Sequence, residues 1–152
     1  MARELTSDRK GPKQARNVVI FLHGYGADGA DLLGLADPLS RHLPGTAFYA
    51  PNAPERCVNN PMGYQWFPIP WMDGSTEEQA RASATQSFDD INAFIDQVLA
   101  AEELPAERLA LVGFSQGTMM ALAVAPQRSP EIAGVVGFSG RLIEPDKEIA
   151  AK

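Results

Sequence analysis

Four short runs in this 152-residue chain are apolar at nearly every position: "NVVIFLH" (17–23), "GTAFYAP" (45–51), "RLALVGF" (108–114) and "IAGVVGF" (132–138). A strand with one wet face alternates apolar and polar residues, so an unbroken β-branched run marks a strand buried on both faces. Between these runs lie stretches of helical period. Leu32, Leu33, Leu35, Ala36 and Leu39 follow the first run, and Pro38 must kink that helix or begin a second short one. Between the second and third runs, Ala84, Phe88, Ile91, Ile95, Val98 and Leu99 form one apolar stripe. "GTMMALAVA" (117–125) is apolar almost all round, as suits a helix packed in a core. Strands alternating with helices connect as parallel βαβ units, with helices on both faces of the sheet. The predicted class is therefore α/β, a doubly wound and mostly parallel sheet.

The length predicts one domain, 1–152, large enough to bury a core. The first 16 residues read as a loose arm or as a weak leading edge strand. From Asn52 to Gly74 the chain is proline-rich and aperiodic, a long excursion of the kind that is usually functional or lid-like. Ser75 with Glu78 makes a capping box that opens the long helix, and Pro105 marks its end.

Composition narrows the function classes. A net charge of −6 argues against a surface for nucleic acid or anionic membrane. The N-terminal segment lacks the apolar core of a signal peptide, and no later stretch is long enough to span a bilayer. With Cys57 as the sole cysteine, no internal disulfide can form, which suits a reducing compartment; the expected location is cytoplasmic. One cysteine and two dispersed histidines, His23 and His42, make no ligand cluster, so no metal or organic cofactor is expected.

The chemistry concentrates at "LVGFSQGT" (111–118). Gly-x-Ser-x-Gly is weak evidence alone, but here Ser115 stands where a predicted buried strand meets a predicted helix. On such a turn the serine backbone is strained and its Oγ projects above the sheet. Gly113 and Gly117 remove the Cβ atoms that would collide across the turn. The plainer alternative is a serine that caps the helix start. Acyl transfer also needs donors aimed at a developing oxyanion. Gln116, opening the helix, offers one backbone N–H. "HGYG" (23–26), at the end of the first strand, offers the backbone N–H of Tyr25, unless it is a mere glycine turn.

"VVIFLHGYGADG", "YAPNAP", "YQWFPI" and "LALVGFSQG", in this order, resemble the phospholipase/carboxylesterase family of α/β-hydrolases, which includes the acyl-protein thioesterases. The resemblance runs from about Asn17 to Leu142. It implies Ser115 as nucleophile, Tyr25 and Gln116 as oxyanion donors, and Trp66 and Phe67 beside the acyl-binding side of the cleft. One departure is small: the family often has a second glycine after "GFSQG", where this chain has Thr118. Another is large. The fold places an acid and then a histidine after the serine, yet no histidine follows Ser115, and the acids there are Glu131, Glu144, Asp146 and Glu148. The resemblance thus implies a family member lacking its C-terminal third. Triad partners are expected from a C-terminal segment of the same enzyme or from a second chain completing the sheet. Run 132–138 is expected to be an interior strand of the complete enzyme, covered by later elements, and an exposed apolar edge without them. His23 is expected to hold the HGYG loop from beneath rather than serve as base, and His42 to be solvated.

The leading expectation is a serine carboxylesterase acting on a small acyl ester through an acyl-enzyme on Ser115. An acyl-thioesterase or lysophospholipase is the alternative within the family. A non-catalytic binding protein on a hydrolase scaffold is the alternative of another class. Met62, Trp66, Phe67 and Trp71 favour an apolar acyl group, or merely pack the long excursion.

Overall fold

In the computed structural model, which describes residues 1–143, the apolar runs become neighbours in one five-stranded sheet. Its strands are β1 (Ser7–Lys10), β2 (Asn17–Leu22), β3 (Thr46–Pro51), β6 (Leu109–Phe114) and β7 (Gly134–Phe138), in the order β1-β3-β2-β6-β7. All pairs are parallel except β1 with β3, which is antiparallel. A two-stranded ribbon, β4 (Glu55–Arg56) and β5 (Tyr64–Gln65), and a single-turn helix, α3 (Pro70–Asp73), lie in the excursion.

Alternate residues of each strand serve opposite cores, as the pleat requires. Val18, Ile20 and Leu22 of β2 join Leu109 and Leu111 of β6 in packing against α4 (Glu77–Glu102) and α5 (Gln116–Val124). The intervening Val19 and Phe21 join Phe48 and Ala50 against Leu33 of α1 (Gly29–Leu33) and Ala36 of α2 (Ala36–Ser40). Phe21 and Phe48 stack at 5.8 Å. Helices cover both faces, so β2 is buried along its length.

Pro38 lies in the first turn of α2, where its missing N–H costs nothing; it belongs to a second short helix rather than to a kink. The long helix begins one residue later than the capping box at Ser75 predicts. Ser75 donates both its N–H and its hydroxyl to Asp73 Oδ1, so it is spent in the preceding turn. Thr76 caps instead, in a reciprocal box with Gln79. Ala84, Ile91, Ile95 and Val98 are buried as the stripe predicts, together with Phe94.

The N-terminal segment is a strand rather than an arm. Charged β1 pairs with β3, and two arginines, one before the strand and one in it, pin the N-terminal segment to α4. Arg3 offers its backbone N–H and its guanidinium to the fully buried Asp90 carboxylate, at 2.6 and 2.8–2.9 Å. Arg9 pairs with Glu102 at 2.6 Å. Among the described residues β7 is the edge, paired with β6 alone, as expected where no later elements cover it, and Phe114, Val136 and Phe138 are about half exposed. Among the described residues, no helix is long and apolar enough to cross a membrane.

Candidate active site

Parallel pairing of β2 with β6 aligns Leu22 with Gly113. The two chains therefore leave the sheet side by side at its C-terminal end, β2 into the HGYG loop and β6 into Ser115. This is the end of an open α/β sheet where ligands bind.

Ser115 has φ 55° and ψ −114°, a left-handed backbone that a non-glycine residue adopts at a cost of about 1–3 kcal/mol. It occupies the N-cap position of α5, yet its side chain makes no capping hydrogen bond. That observation removes the reason a serine would stand there as a cap. The strain is maintained by contacts on every side. Ser115 N–H donates to Phe138 O at 2.7 Å, and Ser115 O accepts from the N–H groups of Thr118 and Met119. A Cβ at Gly117 would come within 1.9 Å of Leu22 O, and one at Gly113 within 2.6 Å of the Thr118 backbone. The turn closes only with hydrogen at both positions.

The HGYG loop borders the serine directly. A Cβ on Gly24 would lie 3.2 Å from Ser115 Cβ. The N–H groups of Gly26 and Ala27 are taken by Tyr64 O and Gly24 O. As the first residue of α5, Gln116 has an N–H with no intrahelical acceptor. Tyr25 is half-buried, and its phenol meets Asp73 at 3.4 Å and Asn59 at 3.3 Å.

His23 is fully buried and both ring nitrogens are engaged. Nδ1 lies 2.7 Å from Gly24 O and Nε2 accepts the Ala53 N–H at 2.9 Å, an arrangement that assigns the neutral tautomer protonated at Nδ1. Burial pushes its pKa below the usual histidine value, partly offset by the bond to Gly24 O. It braces the loop and has no free nitrogen for Oγ. His42 is exposed on the far side of α2 in sequence, and Glu144, Asp146 and Glu148 lie outside the described residues. Among the described residues, no group of His, Cys, Asp and Glu side chains could hold a metal ion.

The polar network beneath the site is what the sequence conceals. Gln116 turns its side chain inward: Oε1 accepts the Trp66 N–H and Nε2 donates to Phe67 O, both at 2.8 Å. Trp66, with no exposed surface, donates its indole N–H to His23 O, and Ser87 donates its hydroxyl to Trp66 O. Trp66 is thus a buried brace linking His23, Gln116 and Ser87, while Phe67 is half-buried and retains surface. The sequence cue is a glutamine opening a helix that is apolar almost all round, where a buried amide must find partners.

Comparison with known proteins decides the family. Residues 8–150 match the family described as Phospholipase/Carboxylesterase. The chain belongs to this family. Acyl-protein thioesterase 1 of Saccharomyces cerevisiae is 34% identical over 133 residues, covering 83% of this chain and 58% of that protein. Acyl-protein thioesterase 1 homolog 1 of Dictyostelium discoideum is 31% identical over 129 residues, covering 82% and 57%. Among solved structures, esterase PE8 superposes with a TM-score of 0.87 at 36% identity, over 95% of this chain and 68% of that one. Acyl-protein thioesterase 2 of Zea mays gives 0.63 at 27%, over 93% and 63%. The fold is that of an α/β-hydrolase. The chain spans 57–58% of the length of these two curated relatives.

Proposed function

We propose that this phospholipase/carboxylesterase-family chain carries the nucleophile and oxyanion hole of a serine hydrolase acting on carboxylic esters. The observation that carries the reading is the strained backbone of Ser115, whose side chain does not cap the helix it begins. A pure binding scaffold has no use for that strain. Ser115 Oγ attacks the acyl carbon of a small acyl ester, and the N–H groups of Tyr25 and Gln116 hold the oxyanion. The C–O bond to the alcohol breaks as the alcohol takes a proton, leaving an acyl-enzyme. Water then attacks that ester and returns Ser115. No step needs a cofactor. Phe67 is assigned to the acyl side of the cleft, with Trp66 supporting it from below.

The base and acid that move these protons are assigned to a further segment of the same enzyme, or to a second chain, lying beyond the β7 edge. His23 cannot serve, since both of its nitrogens are committed. A cytoplasmic setting belongs to the same proposal and suits the buried, free Cys57. Similarity to proteins named acyl-protein thioesterase supports thioesters as the alternative substrate class. Fluorophosphonate labelling followed by peptide mapping tests the assignment. Modification at Ser115, abolished together with hydrolysis of p-nitrophenyl butyrate in Ser115→Ala, is the expected result. Modification at Ser139 with Ser115 untouched overturns it. Parallel rates on an acyl thioester of equal chain length decide between the two classes.

A further inference from the structure

We infer that Thr118 is a positioning residue for the nucleophile, acting through the end of β7; this inference rests on the reading of Ser115 as nucleophile. Thr118 holds Ser115 from two directions. Its backbone N–H donates to Ser115 O at 3.0 Å. Its hydroxyl donates to Phe138 O at 2.8 Å and accepts the Phe138 N–H at 3.0 Å. Phe138 O is the same carbonyl that receives the Ser115 N–H, at 2.7 Å. One threonine therefore fastens the carbonyl of the nucleophile and the group that holds its amide.

The surroundings are shaped to admit this side chain. Thr118 is 3% exposed. A Cβ on Gly137 would meet Thr118 Cγ2 at 2.5 Å, and one on Gly140 would meet Thr118 Cβ at 2.4 Å. Neither glycine has a positive φ, so what is required of them is space rather than backbone freedom. Both Ser115 and Ser139 hold left-handed backbones, with φ near 55°, on either side of the bond to Phe138 O. Strained dihedrals persist where neighbouring contacts over-determine them. The paired hydroxyl bonds supply that over-determination at the β7 end. A glycine at 118 could make neither bond.

Thr118 has no place in the path of the acyl group and acts on the position of Oγ alone. The expected signature is a fall in kcat without a matching change in KM. Thr118→Val keeps the branched shape and removes the hydroxyl; it is expected to lower kcat on p-nitrophenyl butyrate about 10- to 100-fold, with KM within about twofold. This range follows from the steep dependence of rate on sub-ångström placement. Thr118→Ser restores the hydroxyl and should return kcat to within about threefold of the parent. The three atoms nearest a Cβ at Gly137 all belong to Thr118, so Gly137→Ala should reproduce the kcat loss even where Thr118→Val folds poorly. Adding Thr118→Ser removes the methyl it strikes and should rescue it.

The assay uses the full-length enzyme, with fluorophosphonate labelling rates expressed per folded molecule. A merely structural threonine would lower Tm and leave that rate unchanged. Wild-type labelling and kcat in both Thr118→Val and Gly137→Ala overturn the positioning role. Labelling that persists in Ser115→Ala overturns the nucleophile reading instead, and this inference with it.

Discussion

Replacing Gly117 by alanine adds one methyl group at the point where the two halves of the site touch. Its Cβ would stand 1.9 Å from Leu22 O, 2.4 Å from Leu22 C and 2.7 Å from His23 O. All three are backbone atoms where β2 passes into the HGYG loop, so no side chain can swing aside. Reaching an ordinary contact of 3.4 Å from 1.9 Å demands 1.5 Å of separation between β2 and the start of α5. That motion parts the Tyr25 N–H from the Gln116 N–H and from Ser115. A misplacement of about 1 Å costs about 10²-fold in rate, close to 2.7 kcal/mol of barrier. Overpacking should also lower stability by about 1–3 kcal/mol. Gly34→Ala is the matched control: its Cβ would meet only Asp31 O at 3.5 Å, and φ is −58°. It should be neutral, or stabilising by about 0.4–1 kcal/mol through the unfolded chain. Urea unfolding and fluorophosphonate labelling rates on both variants make the comparison. If Gly117→Ala labelled as fast as Gly34→Ala while folded, the close seating of the elbow against β2 would be wrong.

Two other outcomes follow from the same geometry. Gly24→Val should cut turnover by about two to three decades, because its side chain would crowd Ser115, whereas Tyr25→Phe should change it less than about threefold, since the phenol makes only long bonds; steady-state kinetics on the pair decide whether backbone or phenol is the working group, and a large loss in Tyr25→Phe would name the phenol. For pH, His23 has a folded pKa depressed by burial, so the unfolded chain binds more protons below its ordinary value of about 6.5. Its contribution is whole above that pH and is lost as pH falls, by at most about 1.4 kcal/mol per unit; urea midpoints of the parent and His23→Gln should converge from pH 7 to 5, and a constant gap would show that the buried ring does not titrate as described.

The parts of this fold legible in the sequence are those whose reasons are local. β2, β3 and β6 announce themselves because strands covered on both faces need unbroken apolar runs, and the elbow because glycines must flank a tight turn. What the sequence hides depends on partners far away in the chain. β1 is "SDRK", with no strand signature of its own; it exists because β3 offers an edge and because Asp90 and Glu102 lie on α4 to receive Arg3 and Arg9. The start of α4 shifts because Asp73 captures Ser75, a contact that spacing cannot reveal. In the site, the serine and its glycines were readable, while the inward turn of Gln116 was not, since nothing local says where an amide will find acceptors. The resemblance places Trp66 beside the acyl-binding side of the cleft, and what it could not give is that its ring is fully buried with its indole N–H on His23 O.

Gln116 has a consequence for how such an enzyme can change. On the proposed mechanism its main-chain N–H serves the oxyanion, while its side-chain amide grips both Trp66 and Phe67. Fidelity for the acyl group and speed of the chemical step are thus written on one residue. A lineage, or a mutagenesis library, that reshapes the loop at 66–67 to admit a bulkier acid will tug on the hole that stabilises every acid. New substrates should therefore arrive first as slow ones, with recovery coming from second changes that re-seat the amide. Alterations farther along the excursion, at Met62 or Trp71, have no such tether and are where selectivity can drift without a toll on rate.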